Sequence, residues 1–154
     1  MSQVYFVTHR TSKYPPEKNA VMGEYDRDDT WVVTDHYDSE EKMINAVFET
    51  IIDNETLDCM LEDVKTSSDG LSNKAEVQKA KKESDKLYNK LVNLFPTIGL
   101  EYGDDCKKRH RDFNKTCKQM TLENKKKFIE IVKQYYSDQF PTWVGIAYGV
   151  TKVK

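Results

Sequence analysis

Apolar residues recur at two different periods along this chain, and the switch between them sets strands at the ends and helices in the middle. Val4 to Thr8 is a short β-branched and aromatic run that predicts a strand. Val21–Tyr25 and Thr30–Thr34 predict two more, joined by the turn-forming Asp26-Arg27-Asp28-Asp29. The Pro15-Pro16 pair confines residues 13–19 to an extended loop. From residue 43 the period changes. Met43, Ile44, Val47, Phe48, Ile51 and Ile52 share one wide helical face, opened by Asp38 with Glu41 as its capping-box partner. Leu57, Met60, Leu61 and Val64 predict a second helix after a break near Asp53-Asn54. Asn73, three residues before Glu76, caps a longer helix. Its apolar residues gather late, at Leu87, Tyr88, Leu91, Val92 and Phe95, before Pro96 and Gly99 end it.

Gly103 to Tyr136 is the most strongly patterned stretch. Asp104 or Asp105 caps its first helix, on which Cys106, His110, Phe113, Cys117 and Met120 fall on one face. Thr121 starts a second helix with Phe128, Ile131 and Tyr135 inward and Ile129, Val132 and Tyr136 alongside. Pro141 breaks this helix, and residues 142–150 predict a final strand. Its Val144, Ile146, Tyr148 and Val150 share one face, and Gly145, Ala147 and Gly149 share the other. A face of such small residues invites close approach, for which a packed helix is the ordinary answer. The expectation is an α+β fold in which the N-terminal strands and the C-terminal strand form a small antiparallel sheet against four to five helices.

A chain of 154 residues buries about two-thirds of its unfolded surface as one domain. The polar segment 66–72 reads as a mobile loop rather than a boundary, since neither side of it is rich enough for its own core. No apolar run approaches the roughly 18 residues of a membrane span, and Met-Ser-Gln-Val-Tyr does not begin a signal peptide. Three cysteines, Cys59, Cys106 and Cys117, cannot all pair within one chain and read as reduced thiols. A cytoplasmic protein is expected. Lysine outnumbers arginine 20 to 4, a usage typical of AT-rich genomes that fits a phage- or virus-type accessory factor.

Charge changes this picture most. Residues 1–64 carry 15 acidic and 5 basic side chains, and residues 65–154 carry 11 and 19, so a net charge of −2 conceals −10 against +8. Such asymmetry points to an electrostatic partner or to halves that fold against each other. Two surfaces stand out. Glu24, Asp26, Asp28, Asp29, Asp35 and Asp38 form an acidic region suited to a basic or phosphate-binding site on another protein. Lys107, Arg111, Lys115 and Lys118, extended by Lys125, Lys126 and Lys127, form a basic stripe that could track a phosphate backbone, with a solvated helix face as the plain alternative.

Motifs of catalysis are sparse. Cys106, His110 and Cys117 do not make a metal site: 11 residues at 1.5 Å each part the cysteines by about 16 Å, far beyond zinc–ligand bonds of about 2.3 Å. They read as core residues instead. Asp26 to Asp29 lacks the glycine and glutamate of a calcium loop, with Trp31 and Tyr37 at those places. His9-Arg10-Thr11 resembles one half of the histidine-x-threonine signature of the two-histidine phosphoesterases, without the second copy that such chemistry needs. His36 is the one other histidine near a strand end, so His9, Thr11 and His36 form the only catalytic candidate. There is no Walker loop, dinucleotide fingerprint, nucleophile elbow or metalloprotease helix. A non-enzymatic regulatory or inhibitory protein without cofactor or metal is therefore expected, acting on another protein through charged surfaces. Nucleic-acid binding by residues 104–133 is the first alternative, and a phosphoesterase-like or nucleotide-binding activity around His9 and His36 the second.

Overall fold

A computed structural model describes residues 3–11 and 31–152, and the chain is α+β as the pattern predicts. Strand β1 (Gln3–Thr11) is followed by β2 (Trp31–Tyr37), α1 (Glu40–Asp53), α2 (Thr56–Thr66), α3 (Lys74–Leu94) and a 3-10 turn at Pro96–Gly99. Then come α4 (Cys106–Gln119), α5 (Leu122–Tyr136), a 3-10 turn at Ser137–Gln139, the short α6 (Phe140–Val144) and β3 (Ile146–Lys152). The contacts divide into two compact units, Met1–Thr50 with Ile131–Lys154, and Ile51–Glu130. The division does not fall at the polar segment 66–72. That segment closes on itself through the Asp69 N–H donating to the Thr66 carbonyl and Leu71 to Ser68, with Gly70 at a φ of 79°.

In the first unit the last strand pairs antiparallel with the first, giving the order β2-β1-β3. Val7 lies opposite both Asp35 and Tyr148, so Tyr5, Val7, His9, Asp35, Tyr37, Ile146 and Tyr148 share one face. This is the packed face: Val7 and Ile146 are buried, and the Tyr148 ring meets Phe140 of α6 at 6.4 Å and the Lys133 ammonium of α5 at 5.2 Å. Met43, Ile44, Val47 and Phe48 bury the inner stripe of α1, each buried side chain contributing about 1.5–3 kcal/mol. On the opposite face Thr8 and Thr34 share a 3.0 Å hydrogen bond.

Three local expectations change. Ser39, not Asp38, caps α1, its Oγ accepting from the Lys42 N–H, while Asp38 pairs with the Lys42 ammonium at 3.0 Å. Residues 142–144, predicted as the start of the last strand, are helical and belong to α6. Pro141 sits in the first turn, where its missing N–H is no loss, and Gly145 at a φ of 79° ends the helix before β3 begins. On the small-residue face of β3, for which a packed helix is the sequence expectation, Ala147 is exposed. The Phe6 ring lies across that face, so close that a Cβ on Gly149 would come within 3.0 Å of that ring. The predicted strand Val21–Tyr25 and its turn lie outside the described residues, and the predicted strand 30–34 continues to Tyr37.

The second unit forms around Phe95. Asn73 caps α3 as predicted, its Oδ1 accepting from the Ala75 and Glu76 N–H groups, and α3 ends where Phe95 leaves the helical conformation. The buried Phe95 ring stacks on Phe113 of α4 at 5.7 Å and meets Phe128 of α5 edge-on at 4.9 Å. Leu57, Met60, Leu91 and Ile129 are buried in the same unit. The predicted break between α1 and α2 is present, with Glu55 left-handed at a φ of 58°.

Phe95→Ala should cost about 3–5 kcal/mol in urea unfolding, and Phe113→Ala, from a half-buried position, clearly less. Gly149→Val should destabilise by about 1–3 kcal/mol because its branch meets the Phe6 ring. A G149V midpoint equal to wild type would mean that the ring moves aside freely.

Candidate nucleic-acid interface

The basic stripe is built on α4, which lies wholly in the second unit. Asp105 caps it, its Oδ1 accepting from the Lys108 N–H at 3.0 Å, and Gly103 supplies a φ of 59° just before the cap. At the other end Met120 is extended, and Thr121 Oγ1 accepts from the Asn124 N–H to open α5. Both boundaries follow from capping chemistry legible in the sequence.

The helix is fastened along one side only. Phe113 stacks on Phe95, and the Tyr102 hydroxyl donates to Asp112 Oδ2 at 3.0 Å. Partial desolvation, then that hydrogen bond and the Asp112 charge, push the Tyr102 phenol above its ordinary range. Asp112 is the one carboxylate within α4, against Lys107, Lys108, Arg109, Arg111, Lys115 and Lys118. It stands at helical spacing from Lys108 and Lys115, at the border of the stripe, and one of its oxygens is taken up by Tyr102. None of the 14 residues of α4 is buried.

The outcome for the supposed apolar stripe is mixed. Phe113, Cys117 and Met120 are half-buried, but Cys106 and His110 are exposed rather than core. The face packs only where Phe95 and the Pro96–Gly99 turn lie beneath it, and its first turns reach past them. Cys117 shows the boundary chemically. Desolvation pushes its thiol from 9.0 to about 11, partly opposed by the nearby Lys125 charge.

Lys107, Arg111, Lys115 and Lys118 are all exposed, and none has an ion-pair partner among the described residues. An open depression of about 580 Å³ follows this face, lined by Arg111, Asn114, Lys115, Lys118 and Gln119. The lysines of α5 differ. Lys125 is half-buried near Cys117, Lys126 is exposed, and Lys127 pairs with Glu123 at 3.6 Å, so the uninterrupted basic face is that of α4. Asn114 and Gln119 were missed in the sequence, although Asn114 stands three residues after Arg111 and Gln119 four after Lys115, at helical spacing.

The other candidates are not brought together. His9 Nε2 stands 3.7 Å from Asp35 Oδ2 on the packed face of the sheet. His36 lies opposite Phe6, on the other face, so the two histidines cannot address one substrate atom as acid and base. Thr11 pairs with Trp31 at the far end of the ladder. Of the acidic region, Glu24, Asp26, Asp28 and Asp29 lie outside the described residues, Asp35 faces His9, and Asp38 is paired with Lys42. Among the described residues no three His, Cys, Asp or Glu side chains converge as metal ligands, and no helix is long and apolar enough to cross a membrane.

Cys117 provides a test of how α4 is seated. Its raised thiol pKa means that the folded chain holds a proton that the unfolded chain releases, so stability is full below about pH 9 and declines as pH rises towards 11. Cys117→Ala should flatten this alkaline decline. In native thiol labelling Cys59 and Cys106 should react quickly and Cys117 slowly; equal rates at all three would contradict the packing of α4.

Comparison with protein-family models, with curated proteins and with solved structures finds no match for this chain, so the functional reading rests on the geometry of α4.

Proposed function

We propose that this protein is a non-enzymatic binding protein that attaches to nucleic acid through the basic face of α4. The observation that carries the reading is a helix with six cations against one carboxylate. The single acid of the helix accepts a hydrogen bond from Tyr102, and the four stripe cations have no partner among the described residues. Unpaired cations in such a row release bound counterions from a polyanion, and this term supplies nearly all non-specific affinity for nucleic acid. A protein partner at the acidic region, the first expectation from sequence, draws less support, since the two described acids of that region are already engaged. An enzymatic reading draws little from histidines on opposite faces of a sheet.

Attachment of this kind suits an accessory factor that coats or regulates nucleic acid in the cytoplasm. Three unpaired cysteines and lysine-rich usage of viral or phage type are in keeping with that role.

Four phosphate contacts give a slope of about −3.6 for log affinity against log salt on duplex, or about a hundredfold loss between 50 and 200 mM. Joint replacement of Lys107, Arg111, Lys115 and Lys118 by glutamate should abolish binding, while circular dichroism and the unfolding midpoint stay near wild type. Affinity that is retained by this variant, or that is insensitive to salt, would overturn the assignment.

A further inference from the structure

The basic face of α4 carries more than charge. Around the helix Arg111 stands near its centre, with Lys107 one turn before it and Lys118 two turns after. Lys108, Lys115 and, in the last turn, Gln119 lie on one flank, with Asp112 at its edge, and Asn114 lies on the other. The depression of about 580 Å³ thus holds one guanidinium and two carboxamides beside the Lys115 and Lys118 ammoniums. Neither carboxamide side chain has a hydrogen-bond partner among the described residues.

Carboxamides add nothing to the attraction of phosphate. Each offers a donor and an acceptor side by side, the arrangement that matches N6 and N7 of adenine, as a guanidinium matches O6 and N7 of guanine. In a duplex these edges are presented only in the major groove. A helix with its side chains is about 10–12 Å across, and the major groove of B-form DNA is about 12 Å wide. Lys107 and Lys118 are about 16 Å apart along the axis, so the two ends of a helix seated in that groove reach phosphates on both sides. The major groove of an RNA duplex is too deep and narrow for such entry. Single strands are gripped by stacking on aromatic rings, and this face of α4 carries none.

We propose that the partner is B-form DNA and that α4 enters its major groove, an inference that rests on the nucleic-acid reading above. Arg111, Asn114 and Gln119 contact base edges there, and Lys107, Lys108, Lys115 and Lys118 hold the flanking phosphates. The protein then has sequence preference as well as charge-driven affinity. Arg111 and the two carboxamides supply that preference.

The full-length protein is titrated by fluorescence anisotropy against a labelled DNA duplex, the RNA duplex of the same sequence, and the single DNA strand. In parallel, it selects from a library of randomised DNA duplexes. The DNA duplex should bind tighter than the other two by on the order of tenfold, and the library should converge on a motif containing A·T pairs. The neutral double variant Asn114→Ala, Gln119→Ala should lose about tenfold in discrimination at those pairs while its salt slope stays unchanged. Equal, salt-sensitive binding of all three probes would overturn the groove assignment and leave non-specific attachment standing. Enrichment of the same motif by the double variant would also overturn it. Absence of binding to every probe would remove both readings together.

Discussion

Phe95 is where three helices of the second unit meet, and the exposed face of α4 depends on it. Leaving the helical conformation at this residue ends α3 and places the ring between Phe113 and Phe128. Aromatic pairs at 4.9 and 5.7 Å contribute about 0.5–1.5 kcal/mol each beyond the area that they bury. A ring held from two sides in this way fixes the seat of α4 through Phe113. That seat lies midway along α4, with the Tyr102–Asp112 hydrogen bond beside it. Packing on one side only is what leaves the cations in solvent.

The first unit works on a different constraint, the strict alternation of a strand. The pairing of Val7 with Asp35 and Tyr148 decides for every residue of the sheet which face it serves. It puts Val7, Ile146 and Tyr148 inward, and it separates His9 from His36. Phe6 and Gly149 are the complementary case on the opposite face. An aromatic ring covers the backbone of a glycine across the ladder and substitutes for the side chain that the glycine lacks.

Charge has a different status in the two parts of the chain. Among the described carboxylates of the acidic region, Asp35 and Asp38 face His9 and Lys42 respectively. The Asp38–Lys42 pair is exposed and contributes little to stability, and His9 is half-buried beside an exposed Asp35. On α4 six cations gather around a single carboxylate, an excess that does nothing for the fold and is favourable towards an anion. This difference is what supports the proposed nucleic-acid role of α4.

Local chemistry made much of the architecture legible in the sequence. Asn73, Asp105 and Thr121 were readable as caps because a side-chain oxygen reaches free N–H groups only two or three residues away. Alternation marked β1 and β3, and the mixed order of elements implied the antiparallel sheet. The Cys106–His110–Phe113–Cys117 stripe shows where such reading stops. Periodicity tells which residues share a face, but it cannot tell how much of that face another element covers. Phe95, eleven residues before Cys106, sets that coverage, so Cys106 and His110 emerged exposed while Phe113 and Cys117 did not. The same holds for residues 142–144, where the predicted start of the last strand became a helical turn between Pro141 and Gly145. Most elements, most caps and the row of cations follow from the chain alone, because each is set within one or two turns of it. Register, coverage and the separation of the histidines were decided by tertiary structure, because each depends on contacts between residues far apart in the chain.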